Sequence, residues 1–354
     1  MRKICILSHN QFGYHIDSFN YCKYLREKYE VHYISYDFGH KKIELEGINI
    51  NYIKKIDSEV LNRFNFIWKS INYINKNNID LVFDIQIPFS FLYKIFCKNK
   101  KIIYDVRSLC VSNSKLRRIF VNNIIKLDSK FFKNRTIIDY NLAKDLKWDK
   151  NTFEILMLGA DKQVENIIDS SKITFLYVGT FSNRNIDVTL EAFNKLINDE
   201  DFKEMDLEYL LIGNIGENYK KKIEKLKKNS DNKIKLLGYI ENDKLIDYFK
   251  MSKVGISYVP MVEFYNNQPP TKTYEYLANG LICLATRTNA NKTIINDKNG
   301  ILVNDDVESV YCGMKYIVSN LDNFNRNNIM IESKKFSWKY IVEECLIKKV
   351  LEVN

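Results

Sequence analysis

Short apolar runs recur along this chain, each followed by a stretch of helical period, and the series starts twice. A strand covered on both faces by helices reads as a near-continuous apolar run. Residues 3–8 (Lys-Ile-Cys-Ile-Leu-Ser), 31–36, 80–84, 101–105, 136–139 and 153–157 read as such strands, and 48–53 alternates apolar and polar like a further strand. Helical pattern separates them around 17–28, 61–75 and 89–97. The alternation pauses at Gly159-Ala-Asp161 and a polar stretch to Lys172, which reads as a linker. A second series follows, with strands at 174–178, 207–212, 233–237, 254–258 and 282–285 and helices at 187–196, 218–228, 243–250 and 273–279. Strands alternating with helices predict parallel α/β sheets wrapped on both faces. The expected organisation is therefore two Rossmann-like α/β domains, 1–165 and 166–335, and a closing helix, 336–354, that begins at Phe336-Ser-Trp-Lys-Tyr340. Two such domains in tandem are expected to face a central cleft at the carboxyl ends of their strands, where ligands bind in these folds.

Composition narrows the setting. Apolar residues make up 45% of the 354 and charged residues 28%, a globular balance with no run long enough for a membrane-spanning helix. The start runs from strand into polar loop without a small-residue cleavage site, so it reads as structure and not as a signal peptide. The seven Cys are scattered, with no CxxC and no His at ligand spacing; they read as small buried hydrophobes of a reducing cytoplasm. The net charge of +10 lies wholly in the first half: residues 1–165 carry 28 Lys and Arg against 18 Asp and Glu, and the remainder is balanced. That half should be drawn to polyanions, although a lysine-rich genome supplies part of the bias. Residues 60–69 (Val-Leu-Asn-Arg-Phe-Asn-Phe-Ile-Trp-Lys) interleave aromatics with cations. In residues 114–126, Leu116, Ile119, Phe120 and Ile124 share a helical face that the cations mostly avoid. Each segment reads either as a helix lying on an anionic membrane surface or as an ordinary amphipathic helix packed on a sheet. No nucleic-acid-binding module is present, so nucleic acid is not an expected partner.

The segment richest in chemistry is Asn267-Gln-Pro-Pro-Thr-Lys-Thr-Tyr-Glu-Tyr-Leu-Ala-Asn-Gly280. The prolines end a loop, Thr271 is expected to cap a helix opening near Lys272, and Gly280 stops it. Free amides and a lysine at a helix start suit a diphosphate, and Glu275 one turn on suits a ribose diol. A capped helix with a merely solvated Glu275 fits the same spacing.

From Phe175 to Val303 the chain resembles the second half of the retaining, nucleotide-sugar-dependent glycosyltransferases of group 1 (family 4), which have the GT-B architecture. Four segments carry the likeness in order: Tyr177-Val-Gly-Thr-Phe-Ser-Asn-Arg184, Leu210-Leu-Ile-Gly-Asn-Ile-Gly216, Leu236-Leu-Gly-Tyr-Ile240 and Pro270-Thr-Lys-Thr-Tyr-Glu-Tyr-Leu-Ala-Asn-Gly280. The first half is similar more weakly, through Gly13, Tyr104-Asp-Val-Arg-Ser108, Leu158-Gly-Ala-Asp161 and the Phe336-Ser-Trp338 helix that resembles one crossing back to the first domain. The resemblance implies donor contacts at Gly13, Gly179, Thr180, Gly238, Tyr239, Ile240, Asn267, Gln268, Thr271 and Glu275. It implies catalytic roles for Arg184, Lys272 and Arg107, and acceptor-side candidates in His9 and His15, although a lone His is more often structural.

The chain departs from the family at three places. Members often carry two glutamates eight positions apart; Glu275 matches the second, and Asn267 stands at the first. The first-domain loop has one glycine, not a pair. Arg107 replaces a cleft-facing His and is expected to make a charged contact to phosphate or acceptor. The implied reaction transfers a sugar from a nucleotide diphosphate, UDP ahead of GDP, with retention and without a metal or further cofactor. The departing diphosphate takes the acceptor proton, so no protein base is required. Asp199-Glu-Asp201 and Asp305-Asp306 read as surface turns. The expected acceptor is a lipid-linked or surface-polysaccharide intermediate, met at the cytoplasmic face of the membrane. The alternatives are a GT-B-like sugar-nucleotide epimerase, which wants more carboxylates and histidines than the chain offers, and a catalytically inert partner subunit.

Overall fold

The computed structural model describes residues 1–165, 168 and 170–353, apart from the side chains of residues 217 and 218. The chain divides into two compact units. Unit 1 is Met1–Leu158 with Trp338–Asn354, and unit 2 is Gly159–Ser337.

Unit 1 holds a seven-stranded parallel sheet in the order β3-β2-β1-β4-β5-β6-β7. Its strands are β1 (Lys3–Leu7), β2 (Glu30–Asp37), β3 (Ile48–Lys54), β4 (Leu81–Ile85), β5 (Lys101–Val106), β6 (Asn134–Ile137) and β7 (Glu154–Ile155). The helices are α1 (Ile16–Leu25), α2 (Glu59–Lys76), α3 (Phe91–Phe96), α4 (Lys115–Ser129) and α5 (Tyr140–Asp145). β1 and β4 are buried along nearly their whole length, as strands in a sheet covered on both faces are, and β4 carries the buried carboxylate Asp84. The closing helix, Trp338–Tyr340 continued by a π-helical stretch Ile341–Leu351, belongs to this unit. Trp338 meets the ring of Tyr21 on α1, and Ile341, Leu346 and Leu351 enter the core formed by Ile4, Val31 and Phe83. Lys101 Nζ donates to the Leu351 carbonyl at 3.3 Å, tying the end of the helix to β5.

Unit 2 holds a six-stranded parallel sheet in the order β10-β9-β8-β11-β12-β13. Its strands are β8 (Ile173–Val178), β9 (Leu207–Ile212), β10 (Ile234–Gly238), β11 (Val254–Ser257), β12 (Ile282–Thr286) and β13 (Gly300–Val303). The helices are α6 (Asp187–Ile197), α7 (Glu217–Lys228), α8 (Leu245–Met251), α9 (Glu263–Asn266), α10 (Thr271–Ala278), α11 (Val307–Ser319) and α12 (Arg326–Ser333). The sequence reading misses α5, α9, β13, α11 and α12. β13 opens on Gly300, where an added Cβ would lie 2.1 Å from the Cys283 carbonyl, so close pairing with β12 demands a residue of no strand propensity.

The expected division between 165 and 166 falls at the edge of residues outside the described set. The compact units instead divide after Leu158, because Asn279, at the end of α10, draws the linker onto unit 2. Its Oδ1 accepts from the backbone N–H groups of Gln163 at 2.9 Å and Val164 at 3.0 Å. At the other junction the unit passes at Trp338, two residues beyond the expected start of the closing helix. The charge asymmetry follows the units: unit 1 carries 30 Lys and Arg against 19 Asp and Glu, and unit 2 carries 24 against 25.

Candidate functional site

The carboxyl ends of β8, β9 and β10 are laced together by their backbones. Gly179 N donates to the Ile212 carbonyl at 3.0 Å, and Gly213 N donates to the Gly238 carbonyl at 2.8 Å. Gly213 lies at φ +149°, and a Cβ there would fall 1.8 Å from the Gly179 carbonyl oxygen. Only glycine allows this approach. Gly238 turns the chain at φ +73° and leaves Tyr239 exposed and Ile240 half-buried beyond it. Three motifs that are far apart in sequence thus meet at the carboxyl ends of three adjacent strands.

Beside them opens a cavity of about 210 Å³, lined by Tyr177 to Thr180, Arg184, Ile256 to Val259, and Pro270 to Lys272. It gathers five of the residues singled out from sequence: Gly179, Thr180, Arg184, Thr271 and Lys272. Gly179 is indifferent to φ here, but an added Cβ would press on the Tyr177 hydroxyl at 3.0 Å. That hydroxyl donates to the Thr180 carbonyl at 2.6 Å and so shapes the loop, while burial pushes its pKa up and keeps it neutral. The Arg184 guanidinium lies over the Tyr265 ring, 4.3 Å from its centroid. Lys272 Nζ is ion-paired with Glu275 one turn along α10.

The cap of α10 differs from the expectation. Pro270, not Thr271, occupies the N-cap position, and no side chain caps the helix. Proline has no N–H of its own to satisfy and leaves Thr271 as the first helical residue, so no side chain competes for the backbone of Thr271 and Lys272 in the cavity lining, while the Thr273 amide donates to the Pro270 carbonyl at 3.1 Å. Beneath them the helix is pinned hard. Thr273 Oγ1 lies 2.6 Å from Ser257 Oγ and donates to Asn291 Oδ1 at 3.1 Å, and Asn291 Nδ2 donates to the Thr286 carbonyl. Tyr276 Oη accepts from Val178 N at 2.9 Å, and its ring covers Gly255, where a Cβ would lie 2.3 Å from Cγ. Sequence reasoning missed Ser257, Tyr258, Thr273, Tyr276 and Asn291. Their one visible signal was polar or glycine residues at the ends of apolar runs.

Asn267 and Gln268 lie outside the cavity lining. Asn267 Oδ1 accepts from Asn289 Nδ2 at 3.0 Å, and Gln268 N donates to the Tyr265 carbonyl at 3.1 Å. These bonds hold the α9 turn that carries Tyr265 under Arg184. Asp199 takes Lys315 and Tyr311, and Asp305 takes the backbone N–H of Met261, so both acidic pairs are engaged in unit 2.

In unit 1 the four remaining candidates lie at the carboxyl ends of β1 and β5. Gly13 adopts φ +87°, and a Cβ there would meet Ile43 at 2.4 Å. His15 caps α1: its Nδ1 accepts from Ser18 N at 3.3 Å, and burial lowers its pKa. His9 packs between Tyr36 and Phe66, where burial, with Arg63 and Lys55 near, lowers its pKa to about 4 and keeps it neutral. Arg107 differs from the expectation of an open charged contact. It is 9% exposed, and its Nε donates to Asp17 Oδ2 at 2.8 Å while Nη1 donates to the Leu156 carbonyl at 2.5 Å. Burial opposes its charge, but Tyr21, Asp17 and Asp105 outweigh burial and hold its pKa up. In this conformation Arg107 joins α1 to β5 and β7.

The family model described as "Glycosyl transferases group 1" matches residues 172–320, the stretch that contains the cavity. No curated protein matches the chain. Among solved structures, sucrose-phosphate synthase from Thermosynechococcus elongatus has a TM-score of 0.76 at 15% identity, covering 97% of each chain. HepE from Anabaena, solved with UDP and glucose, has a TM-score of 0.75 at 10% identity, covering 100% of each. WaaG, described as a glycosyltransferase involved in lipopolysaccharide biosynthesis, has a TM-score of 0.71 at 13% identity, covering 96% of this chain and 98% of its own. At such identities the likeness speaks for the fold alone: this chain has the GT-B architecture of two Rossmann-like domains, and its second unit carries the group 1 glycosyl transferase match.

Proposed function

We propose that this protein is a retaining, metal-independent glycosyltransferase of family 4 that moves a sugar from a nucleotide diphosphate, UDP ahead of GDP, to a lipid-linked or surface-polysaccharide acceptor. One observation carries the reading: Arg184, Lys272 and the uncapped first turn of α10 converge on one cavity beside the Gly179–Thr180 loop. Two cations and a helix start without a side-chain cap suit a diphosphate, and their attraction grows as charge builds on the leaving group. In the reaction, the bond from the anomeric carbon to the diphosphate oxygen breaks and a bond to the acceptor oxygen forms. The acceptor proton passes to the departing diphosphate, so no protein base is needed. In this reading Glu275, ion-paired to Lys272, orients that lysine and accepts from ribose hydroxyls. The match of residues 172–320 to group 1 glycosyl transferases supports the reading, as does a structural neighbour solved with UDP and glucose. The acceptor assignment draws on the basic unit 1 and on a neighbour described as acting in lipopolysaccharide biosynthesis. It places the protein at the cytoplasmic face of the membrane.

Thermal-shift and calorimetric titration with UDP, GDP, ADP and their sugars tests the donor. Saturating UDP at 100 times its Kd should stabilise the protein by about 2.7 kcal/mol. Absence of binding by all of these nucleotides, or binding unchanged in both Lys272→Ala and Glu275→Ala, would defeat the assignment.

A further inference from the structure

α4 is amphipathic in sequence, and the sheet buries the side not favoured by its apolar pattern. Its buried residues are Ile125, Asp128 and Ser129. Leu116 is 81% exposed, Phe120 68%, Leu127 58% and, just beyond the helix, Phe131 53%. These positions repeat at intervals of four and seven, one stripe of a helix. The stripe continues onto neighbouring elements. Phe91 at the start of α3 meets Phe131 at 5.3 Å, and Phe96 at its end meets Trp68 of α2 at 5.7 Å. Trp68 is itself 55% exposed. The crossovers that place α2, α3 and α4 all run in one direction along the sheet, which with right-handed connections puts the three helices on one face.

The charge on this face has one sign. Between residues 85 and 138 the acidic residues are Asp105 and Asp128, and both are buried. Lys94, Lys115, Arg117 and Lys130 are exposed, and among the described residues none of the four forms an ion pair. A solvated helix normally alternates its charges, and a protein partner of mixed charge would leave several of these cations unmatched. An anionic bilayer matches them all and also takes up the aromatic and aliphatic side chains between them.

We propose that the α2–α3–α4 face of unit 1 docks on an anionic lipid bilayer, with Leu116, Phe120 and Trp68 entering the interface and the surrounding lysines and arginines meeting head groups. This deepens the acceptor side of the function proposed above and rests on that reading, but not on the nucleotide cavity. No helix among the described residues is long and apolar enough to cross a membrane, and the proposed mode needs none.

Flotation with vesicles of phosphatidylcholine and phosphatidylglycerol tests it on the full chain. The parent should bind vesicles rich in phosphatidylglycerol, lose most binding when salt is raised toward 1 M, and ignore pure phosphatidylcholine. The double variant Leu116→Ser/Phe120→Ser alters exposed side chains and should keep its far-ultraviolet circular dichroism while partitioning about tenfold less. Arg117→Gln/Lys130→Gln should flatten the salt dependence. Tryptophan emission should shift to the blue on vesicle binding in the parent and not in Trp68→Phe. Vesicle binding that is absent, or unchanged in both double variants, overturns the proposal. So does a concentration-dependent dimer that Phe120→Ser dissolves, or an oligonucleotide that competes the vesicles away. UDP binding is read on the same preparations. A parent that floats with anionic vesicles yet ignores UDP upholds this face and defeats only the donor assignment.

Discussion

The phenolic oxygen of Tyr276 accepts the backbone N–H of Val178 at 2.9 Å, so a side chain of α10 completes the hydrogen bonding at the end of β8, one residue before the Gly179 loop. This bond thereby joins two sides of the cavity beside the Gly179 loop. Tyr276 is fully buried, and burial pushes its pKa up, so the phenol stays neutral. Tyr276→Phe leaves a buried amide without a partner and should cost about 1–3 kcal/mol in denaturant unfolding. Nucleotide affinity should fall as well, because the Gly179 loop loses one of its anchors. Unchanged affinity would separate the bond from the site.

Gly255→Ala tests the same contact from below. Its Cβ would lie 2.3 Å from the Tyr276 ring, a fully buried ring with no room to withdraw. The expected loss is about 1–3 kcal/mol, read as a lower denaturation midpoint.

Arg184 and Lys272 should act on the same ligand. Each alanine variant is expected to raise the Kd for UDP about tenfold to a hundredfold, and the affinity of the parent should fall with added salt. Arg184→Lys should not restore binding fully, since a lysine loses the planar stacking on Tyr265. Calorimetry decides it.

Arg107 and Asp17 form a buried pair, 8% and 4% exposed at their side chains. Removing one partner leaves the other charge buried alone, so Arg107→Ala should lose about 3–5 kcal/mol of stability. Asp17→Asn/Arg107→Met should lose less than the sum of the single changes. A stable Arg107→Ala protein with a raised KM would instead mark the arginine as a substrate contact.

Asp128 is raised from 3.8 to about 6 by burial, against the opposing backbone hydrogen bonds of Phe89, Phe91 and Ser90. A carboxyl raised in the folded state binds its proton more tightly folded than unfolded. Its contribution is present below pH 4 and is lost as pH climbs through 6. Asp128→Asn should remove that loss. The stability difference between parent and variant should shift by on the order of 2 kcal/mol from pH 4 to pH 7. A difference that stays constant across that range would show that the carboxyl does not titrate there.

Much of the scaffold was legible without coordinates. β1 and β8 are nearly continuous apolar runs, and β4 and β9 are each interrupted by one buried carboxylate, Asp84 and Glu208; such a run has one use in a sheet covered on both sides. Elements that depend on contacts were not legible. β13 is three apolar residues behind a glycine, and the glycine is there for the Cys283 carbonyl. The short helix α5 is held by its Asp139 cap.

For the candidate site, sequence determined the residue types: glycines at strand ends, a lysine and a glutamate one turn apart, and an arginine after the first strand of the second series. These are local, because backbone turns and helix spacing are set within a few residues. Tertiary structure decided which of them share a space. It put Arg184 and Lys272 on one cavity, turned Arg107 inward onto Asp17, and sent Asn267 to Asn289. It also decided which side of α4 faces water. Amphipathic spacing states that a helix has two faces, but only the sheet beneath it, by accepting Ile125 and Asp128, determines which one is left outside.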